Sequence, residues 1–379
     1  MGRGSPLTRY DVAVIGLGIV GACAAYAATR RGARVIALDA GVAGRGTSGT
    51  SFAWLNSVRK EPEAYHRLNV EGMAAHRELA RELGADGGHH EGGSLEWTDA
   101  EGERELRARV ERLASWSYAA EWIPREQAIK LEPGLAIPRE ARDVVFFADD
   151  AWLDAPRLIR TLIDAAAAGG AEIHERTPVH SFRTHDGAID ALVVDRGEIA
   201  ADSVLVCVGP ATKTFLETLG VSMPVNRVPG LLAVTSRPDK TLERVVHAPG
   251  IHLRPDASGG LLLGSEDVDG PAANTTSAAE HAKLAELLLQ RAGGVFPAAR
   301  DTKIVEYRIG VRPMPGDRHT IAGRLPELEN GWMIATHSGV TLGPLLGRLM
   351  ADEIVRGIAS PVLAPFRPDR FRTPATAAR

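Results

Sequence analysis

The chain has 379 residues, 44% hydrophobic and 24% charged, which is typical of a soluble globular protein with one large core or two smaller ones. Its formal net charge of -4 argues against nucleic acid or an anionic membrane as a partner. Cys23 and Cys207 fit neither a disulfide framework nor a metal site, and no export signal or membrane span is apparent. We therefore expect a cytoplasmic protein without a metal.

The first elements in chain order predict a βαβ unit. Residues 11–18, DVAVIGLG, form an apolar strand, residues 19–32 form a helix that ends at Gly32, and residues 33–39 form a second strand. Residues 61–83 then have the apolar period and charge pairing of a helix.

The middle of the chain changes from mixed α/β to short strands. Asp154 can cap a helix that ends at Gly169, and DSVLVCVGP, residues 202–210, predicts a buried strand that runs into a glycine turn. Between residues 225 and 270, short apolar segments separated by Pro, Asp and Gly predict an antiparallel sheet.

The last third predicts a helix, a strand that carries Arg312, and a final strand, glycine loop and helix within residues 330–357. After Ser360 the chain is rich in Pro and Arg, and we expect it to fray. The fold class is α/β, with a doubly wound, Rossmann-like domain and a second, antiparallel-sheet domain. We assign residues 1–83, 150–222 and 318–379 to the first domain and 84–149 and 223–317 to the second.

The segment GLGIVG is a GxGxxG motif that follows a strand and opens a helix, with an acid at the end of the next strand. The glycines permit a tight turn, close approach of the backbone to a pyrophosphate, and close helix–strand packing. The acid would accept hydrogen bonds from the hydroxyls of a ribose. These features predict a dinucleotide site. Its residues are Gly16, Gly18, Ile19, Val20, Gly21, Asp39 and Ala40.

A second loop of small residues, AGVAGRGTSGTS, follows directly. A flavin dinucleotide spans further than a nicotinamide site needs, and Arg45, Thr47 and Ser48 are candidates to cover its diphosphate. The alternative is a solvent loop whose small residues reflect turn chemistry alone.

The chain resembles the FAD-dependent D-amino-acid oxidase family, which includes glycine oxidase, sarcosine oxidase and D-amino-acid dehydrogenases. The matching segments are the βαβ unit with GTSGTS, then DSVLVCVGPAT, GVRPMPGDRHTIAG and ATHSGVTLGPLLGRLMADEI. The resemblance implies FAD bound in extended form and oxidation of an amine or amino acid at the carbon bearing nitrogen. Hydride would pass to flavin N5 and leave an imine, with oxygen or another carrier as electron acceptor.

In glycine oxidase-like relatives, the arginine that matches Arg312 grips the substrate carboxylate. A planar guanidinium suits such bidentate positioning. The alternative is a structural salt bridge, for instance to Asp317.

The final glycine loop directs helix N–H groups at its neighbour, where they can stabilise negative charge on a reduced flavin. His337 would add a hydrogen-bond donor to this site; the alternative is that its hydrogen bonds only stabilise the loop. The residues assigned to the cofactor in this part of the chain and in the middle segments are Val179, Gly209, Gly339, Val340, Thr341 and Leu342.

Four positions depart from family patterns. Ala53 and Gly310 stand where relatives with covalent flavin carry a histidine or cysteine, so we expect non-covalent FAD. Leu262 and Thr341 stand where sarcosine oxidases carry lysines, which favours a dehydrogenase over a fast oxidase and leaves carboxylate binding to Arg312.

Three other functions stay open at this point. A 2-hydroxy-acid dehydrogenase would use Glu266 or His252 of the insert strands as base for the hydroxyl proton. The chain could instead be a flavin-bearing subunit of a larger complex, or a nicotinamide-dependent dehydrogenase that rests on GxGxxG alone.

Overall fold

The computed structural model describes residues 9–84 and 87–372. The strands, in chain order, are β1 Arg9–Ile15, β2 Val35–Leu38, β3 Trp54–Leu55, β4 His89–Glu91, β5 Ser94–Glu96, β6 Ala120–Pro124, β7 Asp143–Phe147, β8 Ala151–Leu153, β9 Glu172–His174, β10 Val179–His185, β11 Ala188–Val194, β12 Gly197–Val206, β13 Val225–Thr235, β14 Val245–Ala248, β15 Ile251–Pro255, β16 Leu261–Gly264, β17 Ile304–Pro315, β18 Ile321–Arg324 and β19 Gly331–Ala335.

Helices pack on one face of each of the two large sheets. They are α1 Ile19–Arg30, α2 Glu63–Leu83, α3 Glu103–Ser115, α4 Arg125–Leu131, α5 Ala155–Ala168, α6 Thr212–Glu217, α7 Glu266–Ala273, α8 Ala278–Val295 and α9 Gly339–Arg356. None of the helices in residues 9–84 and 87–372 is long and apolar enough to cross a membrane.

The parallel sheet is built around β1, which pairs in parallel with β2 on one side and β12 on the other. Strands β9 and β19 extend it in parallel, and β10, β11 and β18 add antiparallel pairs at its margins. Residues 12–15 of β1 and all of β2 are apolar and buried because both faces of the sheet are covered. One face packs on α1, α5 and α9, and the other packs on β11 and α6. The doubly wound prediction is confirmed.

The antiparallel sheet has the strand order β17-β13-β16-β15-β14-β5-β7-β6, with a parallel pair between β14 and β5. Its longest pairing joins β13 to β17 and sets Arg312 opposite Val228 and Gly310 opposite Gly230. A third, small sheet has the strand order β3-β8-β4. The predicted antiparallel insert is confirmed, whereas the proposed domain boundaries stay a prediction and include residues 1–8, 85–86 and 373–379 outside the described part.

Local signals account for several element boundaries. The Asp154 carboxylate accepts from the Arg157 N–H at 3.2 Å and caps α5, and Gly32, at φ 82°, follows the end of α1. The expectation that the chain frays after Ser360 is wrong over the described residues. Residues 361–371 form two short 3₁₀ turns, because Leu363 and Phe366 are buried against α9 and its neighbours.

Helices α1 and α9 lie side by side and point in the same direction. A Cβ at Gly343 would lie 3.1 Å from Ile19, and one at Gly347 would lie 2.7 Å from the backbone carbon of Cys23. The N-termini of both helices therefore lie at one end of the pair.

The glycine contact predicts a large cost for one added methyl group. We expect Gly347→Ala to lower the free energy of unfolding by roughly 1–3 kcal/mol, because the new Cβ collides with α1 backbone rather than with a movable side chain. Gly294→Ala in α8 is the matched control, since nothing lies within 4 Å of its Cβ position. Urea denaturation of both variants tests this, and equal stabilities would contradict it.

Candidate functional site

A cavity of about 1210 Å³ lies between the parallel sheet and the antiparallel sheet. At one end it is lined by Asp39 and Val179, and at the other by Arg312 and His337. The glycine loop after β1 and the start of α9 form its long wall. Its size and elongated lining suit a dinucleotide together with a small second molecule.

The glycine loop has no room for side chains. A Cβ at Gly16, where φ is 97°, would lie 2.5 Å from the Cys207 carbonyl oxygen, and one at Gly21 would lie 1.8 Å from the Gly16 oxygen. Gly18 starts α1 without a capping side chain, and the first turn contains no acid. The positive end of α1 therefore faces the cavity, as an anion site requires.

Asp39 organises this loop. One carboxylate oxygen accepts from the Leu17 N–H at 2.7 Å and the other from the Gly41 N–H at 2.7 Å. Each oxygen keeps a further lone pair, so the carboxylate can also accept from ribose hydroxyls.

The second loop of small residues forms a 3₁₀ turn, Thr47–Thr50, that crosses between the sheets. The Ser48 hydroxyl accepts from the Ile19 N–H at 3.0 Å, and the Thr47 hydroxyl donates to the Val311 carbonyl at 2.5 Å. The loop lines the cavity and ties the start of α1 to β17. It is therefore more than a solvent turn.

The N-terminus of α9 reaches the same cavity from the adjacent helix. Gly339, Val340 and Thr341 line the wall, and the helix begins without an acid or a side-chain cap. The Tyr65 and Ser338 hydroxyls, 2.9 Å apart, hold the residue before the helix. With α1 alongside, two helix N-termini supply positive potential to one space.

Arg312 lies in the cavity, and an acid of the same protein is already paired with it. Its Nη2 donates to Asp269 Oδ2 at 2.6 Å and to the Pro229 carbonyl at 3.0 Å, while Nη1 has no protein partner in the described part of the chain. The alternative of a structural salt bridge is thus present, but with Asp269 rather than with the example Asp317, which pairs with Arg370 at 2.8 Å. One nitrogen of the guanidinium therefore makes no hydrogen bond to the described residues.

Asp269 fits under the arginine because Gly230 has no side chain there. A Cβ at Gly230 would lie 2.9 Å from Asp269 Oδ1, which accepts from the Leu231 N–H at 3.0 Å. Burial raises the pKa of Asp269, and the charge of Arg312 opposes that rise. Hydrogen bonds to β13 therefore hold the Arg312–Asp269 pair against that strand.

Three imidazoles in the cavity are neutral. Burial lowers the pKa of His337 to about 3, with Lys60, Arg312 and Arg318 adding to the effect. Burial likewise lowers the pKa of His247 to about 3 and that of His252 well below its usual value. His247 packs against Trp54, with ring centroids 4.1 Å apart and ring planes tilted by 40°.

Lys60 is a partly buried cation without a hydrogen-bond or ion-pair partner in residues 9–84 and 87–372. The chain has six lysines, and the other five are exposed. Burial lowers the pKa of Lys60 to about 8, and the charges of Arg318 and Arg59 contribute. Lys60 and Arg318 both line the cavity near His337.

Most of the predicted residues meet in this cavity. Those on its wall are Gly16, Gly18, Ile19, Val20, Asp39, Ala40, Thr47, Ser48, Val179, Gly209, Arg312, His337, Gly339, Val340 and Thr341. Gly21, Arg45 and Leu342 lie off the wall: Gly21 packs on the loop, Arg45 is exposed, and Leu342 is fully buried in the core.

The residues proposed for hydroxyl chemistry also line the cavity, with one correction. His252 lies on β15, but Glu266 is the first residue of α7 rather than part of a strand. Its carboxylate is largely exposed and pairs with Arg59 at 3.4 Å.

Sequence reasoning missed Lys60, Arg59, Glu96, Asp269 and Arg318. Their neighbours are set by tertiary packing, and no local motif carries them. One signal was available: Lys60 is a lysine in an arginine-rich chain and stands shortly before a helix. No cluster of three or more metal-ligating side chains occurs within the described ranges.

A family model described as "FAD dependent oxidoreductase" (DAO) matches residues 11–353. The chain is 29% identical over 370 residues to a glycine oxidase of Geobacillus kaustophilus, covering 94% of this chain and 96% of that one. It is 25% identical over 372 residues to a glycine oxidase of Bacillus subtilis, covering 96% and 98%. The crystal structure of the Geobacillus kaustophilus glycine oxidase superposes with a TM-score of 0.84, at 26% identity and coverage of 96% and 100%.

The buried charge of Lys60 predicts a stability gain when it is removed. The folded-state pKa of about 8 lies below the unfolded value of 10.5, so charging Lys60 disfavours the fold at every pH below 8. Without substrate at pH 7, we expect Lys60→Met to raise the free energy of unfolding by about 1–3 kcal/mol. The gain should shrink as the pH rises from 8 to 10.5.

Denaturant titrations across that pH range test this prediction. Lys213→Met is the matched control, since Lys213 is exposed on α6 and should show no pH-dependent difference. A loss of stability in Lys60→Met at pH 7 would contradict the burial argument.

Proposed function

The chain belongs to the family of FAD-dependent oxidoreductases and uses FAD to oxidise an amine or amino acid, and we propose that Arg312 anchors its substrate through a carboxylate. One observation supports this proposal: two helix N-termini and Arg312, whose Nη1 has no partner in the described residues, line the same cavity. A cofactor with a diphosphate and a substrate with a carboxylate both need such positive potential.

The residues of the long wall fit FAD. Asp39 would hold the ribose, the start of α1 and Ser48 would face the diphosphate, and Gly339 to Thr341 would face the flavin ring. Bound FAD supplies a two-electron acceptor for the hydride that leaves the carbon bearing nitrogen. The resulting imine hydrolyses in water.

The role of Arg312 is to fix the substrate for that transfer. Asp269 and the Pro229 carbonyl hold Nη2, so the guanidinium cannot swing away, and Nη1 is left to donate to a carboxylate oxygen. Orientation of this kind lowers the barrier without a group that reacts itself. Asp269 is therefore a positioning residue.

The cavity supplies no strong base, which suits an amine that binds deprotonated. His247, His252 and His337 are neutral, and each can donate or accept one hydrogen bond. His337, close to Arg312, is placed to orient the amine nitrogen. The 2-hydroxy-acid alternative is not favoured, because the relatives act as glycine oxidases.

We further propose non-covalent FAD, a cytoplasmic location and an electron carrier other than oxygen. A side chain at Gly310 would lie 2.6 Å from the Thr50 hydroxyl, so no tethering cysteine fits there. The location is supported by two free, buried cysteines. Leu262, where sarcosine oxidases carry a lysine, is fully buried and uncharged.

Anaerobic mixing with amino acids tests the proposed reaction. We expect the flavin absorbance of the holoenzyme to bleach with at least one amino acid. In Arg312→Met the half-saturating concentration should rise about 10–100-fold, because a charged hydrogen bond to the carboxylate is lost. The rate for a matched amine that has no carboxylate should change little between the two proteins. Failure of every amine to bleach the flavin would refute the reaction, and equal saturation in both proteins would refute the anchor.

Acid precipitation tests how FAD is held. We expect the yellow colour to remain in the supernatant after the protein is precipitated, because neither Ala53 nor Gly310 offers an attachment atom. Colour that stays with the pellet after washing would show a covalent bond.

A further inference from the structure

All but two of the charged residues of the cavity wall have an ion-pair or hydrogen-bond partner in the described residues. Arg312 pairs with Asp269, Arg59 pairs with Glu96 and Glu266, Glu61 pairs with Arg112, and Asp317 pairs with Arg370. Asp39 accepts backbone N–H groups at the far end. The cations left without an anion in the described ranges are Lys60 and Arg318.

These two cations line the same cavity as His337 and lie on chain segments that contact each other. Each contributes to lowering the pKa of His337, and Arg318 contributes to lowering that of Lys60. The turn of Arg318 is fixed beside the Lys60 segment, since the ring Nε2 of His319 lies 2.9 Å from the Glu61 carbonyl oxygen. The cavity wall therefore carries two positive charges, on Lys60 and Arg318, that have no anionic partner in the described residues.

The fold holds both cations there at a cost. Lys60 loses hydration beside two arginines. Arg318 adopts a left-handed backbone conformation, with φ of 67°, in the turn between β17 and β18, where glycine would be favoured. Unfavourable placements of this kind are typical of residues retained for a ligand.

We propose that Lys60 and Arg318 form a second anion subsite that binds an acidic group of the substrate separate from the carboxylate held by Arg312. This inference rests on the proposed function. It assigns the substrate to amines that carry two anionic groups, such as an amino dicarboxylate or a carboxyalkylated amino acid. One group binds at Arg312, the other at Lys60 and Arg318, and the carbon–nitrogen bond lies between them.

The position of Arg318 favours the substrate over the cofactor as the source of this anion. Arg318 is an exposed residue of the cavity wall, so a molecule that enters from solvent can reach its side chain. The flavin end already has the uncapped N-terminus of α9 to stabilise negative charge.

Binding of non-oxidisable carboxylates to the holoenzyme tests the subsite. The probes are malonate, succinate, glutarate and adipate, each compared with the monocarboxylate of equal chain length, and binding is read from the perturbed flavin absorbance. For the dicarboxylate of best-fitting length we expect binding about tenfold or more tighter than for its partner. Lys60→Met and Arg318→Gly should remove that preference, and Lys213→Met should keep it.

Two results would overturn the subsite. One is a wild-type holoenzyme that binds no dicarboxylate better than its partner, or variants that keep the preference. The other is a weaker dissociation constant for FAD in both variants with the preference unchanged, which would assign the cations to the cofactor. Arg318→Gly should fold at least as well as the wild type, since glycine suits the left-handed turn.

Failure of the second anion subsite and failure of the proposed reaction would give different experimental results. Selective dicarboxylate binding without bleaching by any amine would leave the subsite and refute amine oxidation. Bleaching by amino acids with one and two acidic groups at equal half-saturation would leave amine oxidation and refute the subsite.

Discussion

The parallel contact between α1 and α9 is the constraint on which the site depends. Two helices that point the same way bring like ends of their dipoles together, which is less favourable than an antiparallel pair. Gly343 and Gly347 bring them to backbone contact, so packing compensates for that repulsion. The result is a positive region at the shared N-terminal end, and an anionic cofactor relieves it.

The remaining charges of the cavity are ordered by pairing. Nε and Nη2 of Arg312 donate to β13 carbonyl oxygens and to Asp269, which leaves Nη1 without a partner in the described residues. Asp269 fits there because Gly230 has no side chain. Lys60 and Arg318 have no such partner in the described residues. The burial of Lys60 and the left-handed backbone of Arg318 each lower the stability of the fold. Ligand recognition and folding stability are thus opposed at this end of the molecule.

The sequence predicted those features whose signals lie within a few turns of chain. The βαβ unit, the capped α5, the antiparallel insert and α9 were all readable from apolar period and glycine position. Local spacing also located the glycine loop and Asp39. By contrast, Asp317 was the example of a salt-bridge partner for Arg312 because it is near in sequence, but the turn after β17 directs it to Arg370. Asp269, Lys60 and Arg318 come together only through packing of distant segments, and burial of Leu363 and Phe366 orders a segment whose composition indicated fraying.

The order of the parallel sheet has a consequence for synthesis of the chain. Strand β12 lies between β1, from the start of the chain, and β19, close to its end, and α9 completes the wall that α1 begins. A nascent polypeptide on the ribosome therefore lacks the α9 wall of the cavity until residue 356 has been translated. We expect FAD to bind only after α9 has emerged, and deletion of α9 to abolish binding even when the glycine motif is intact.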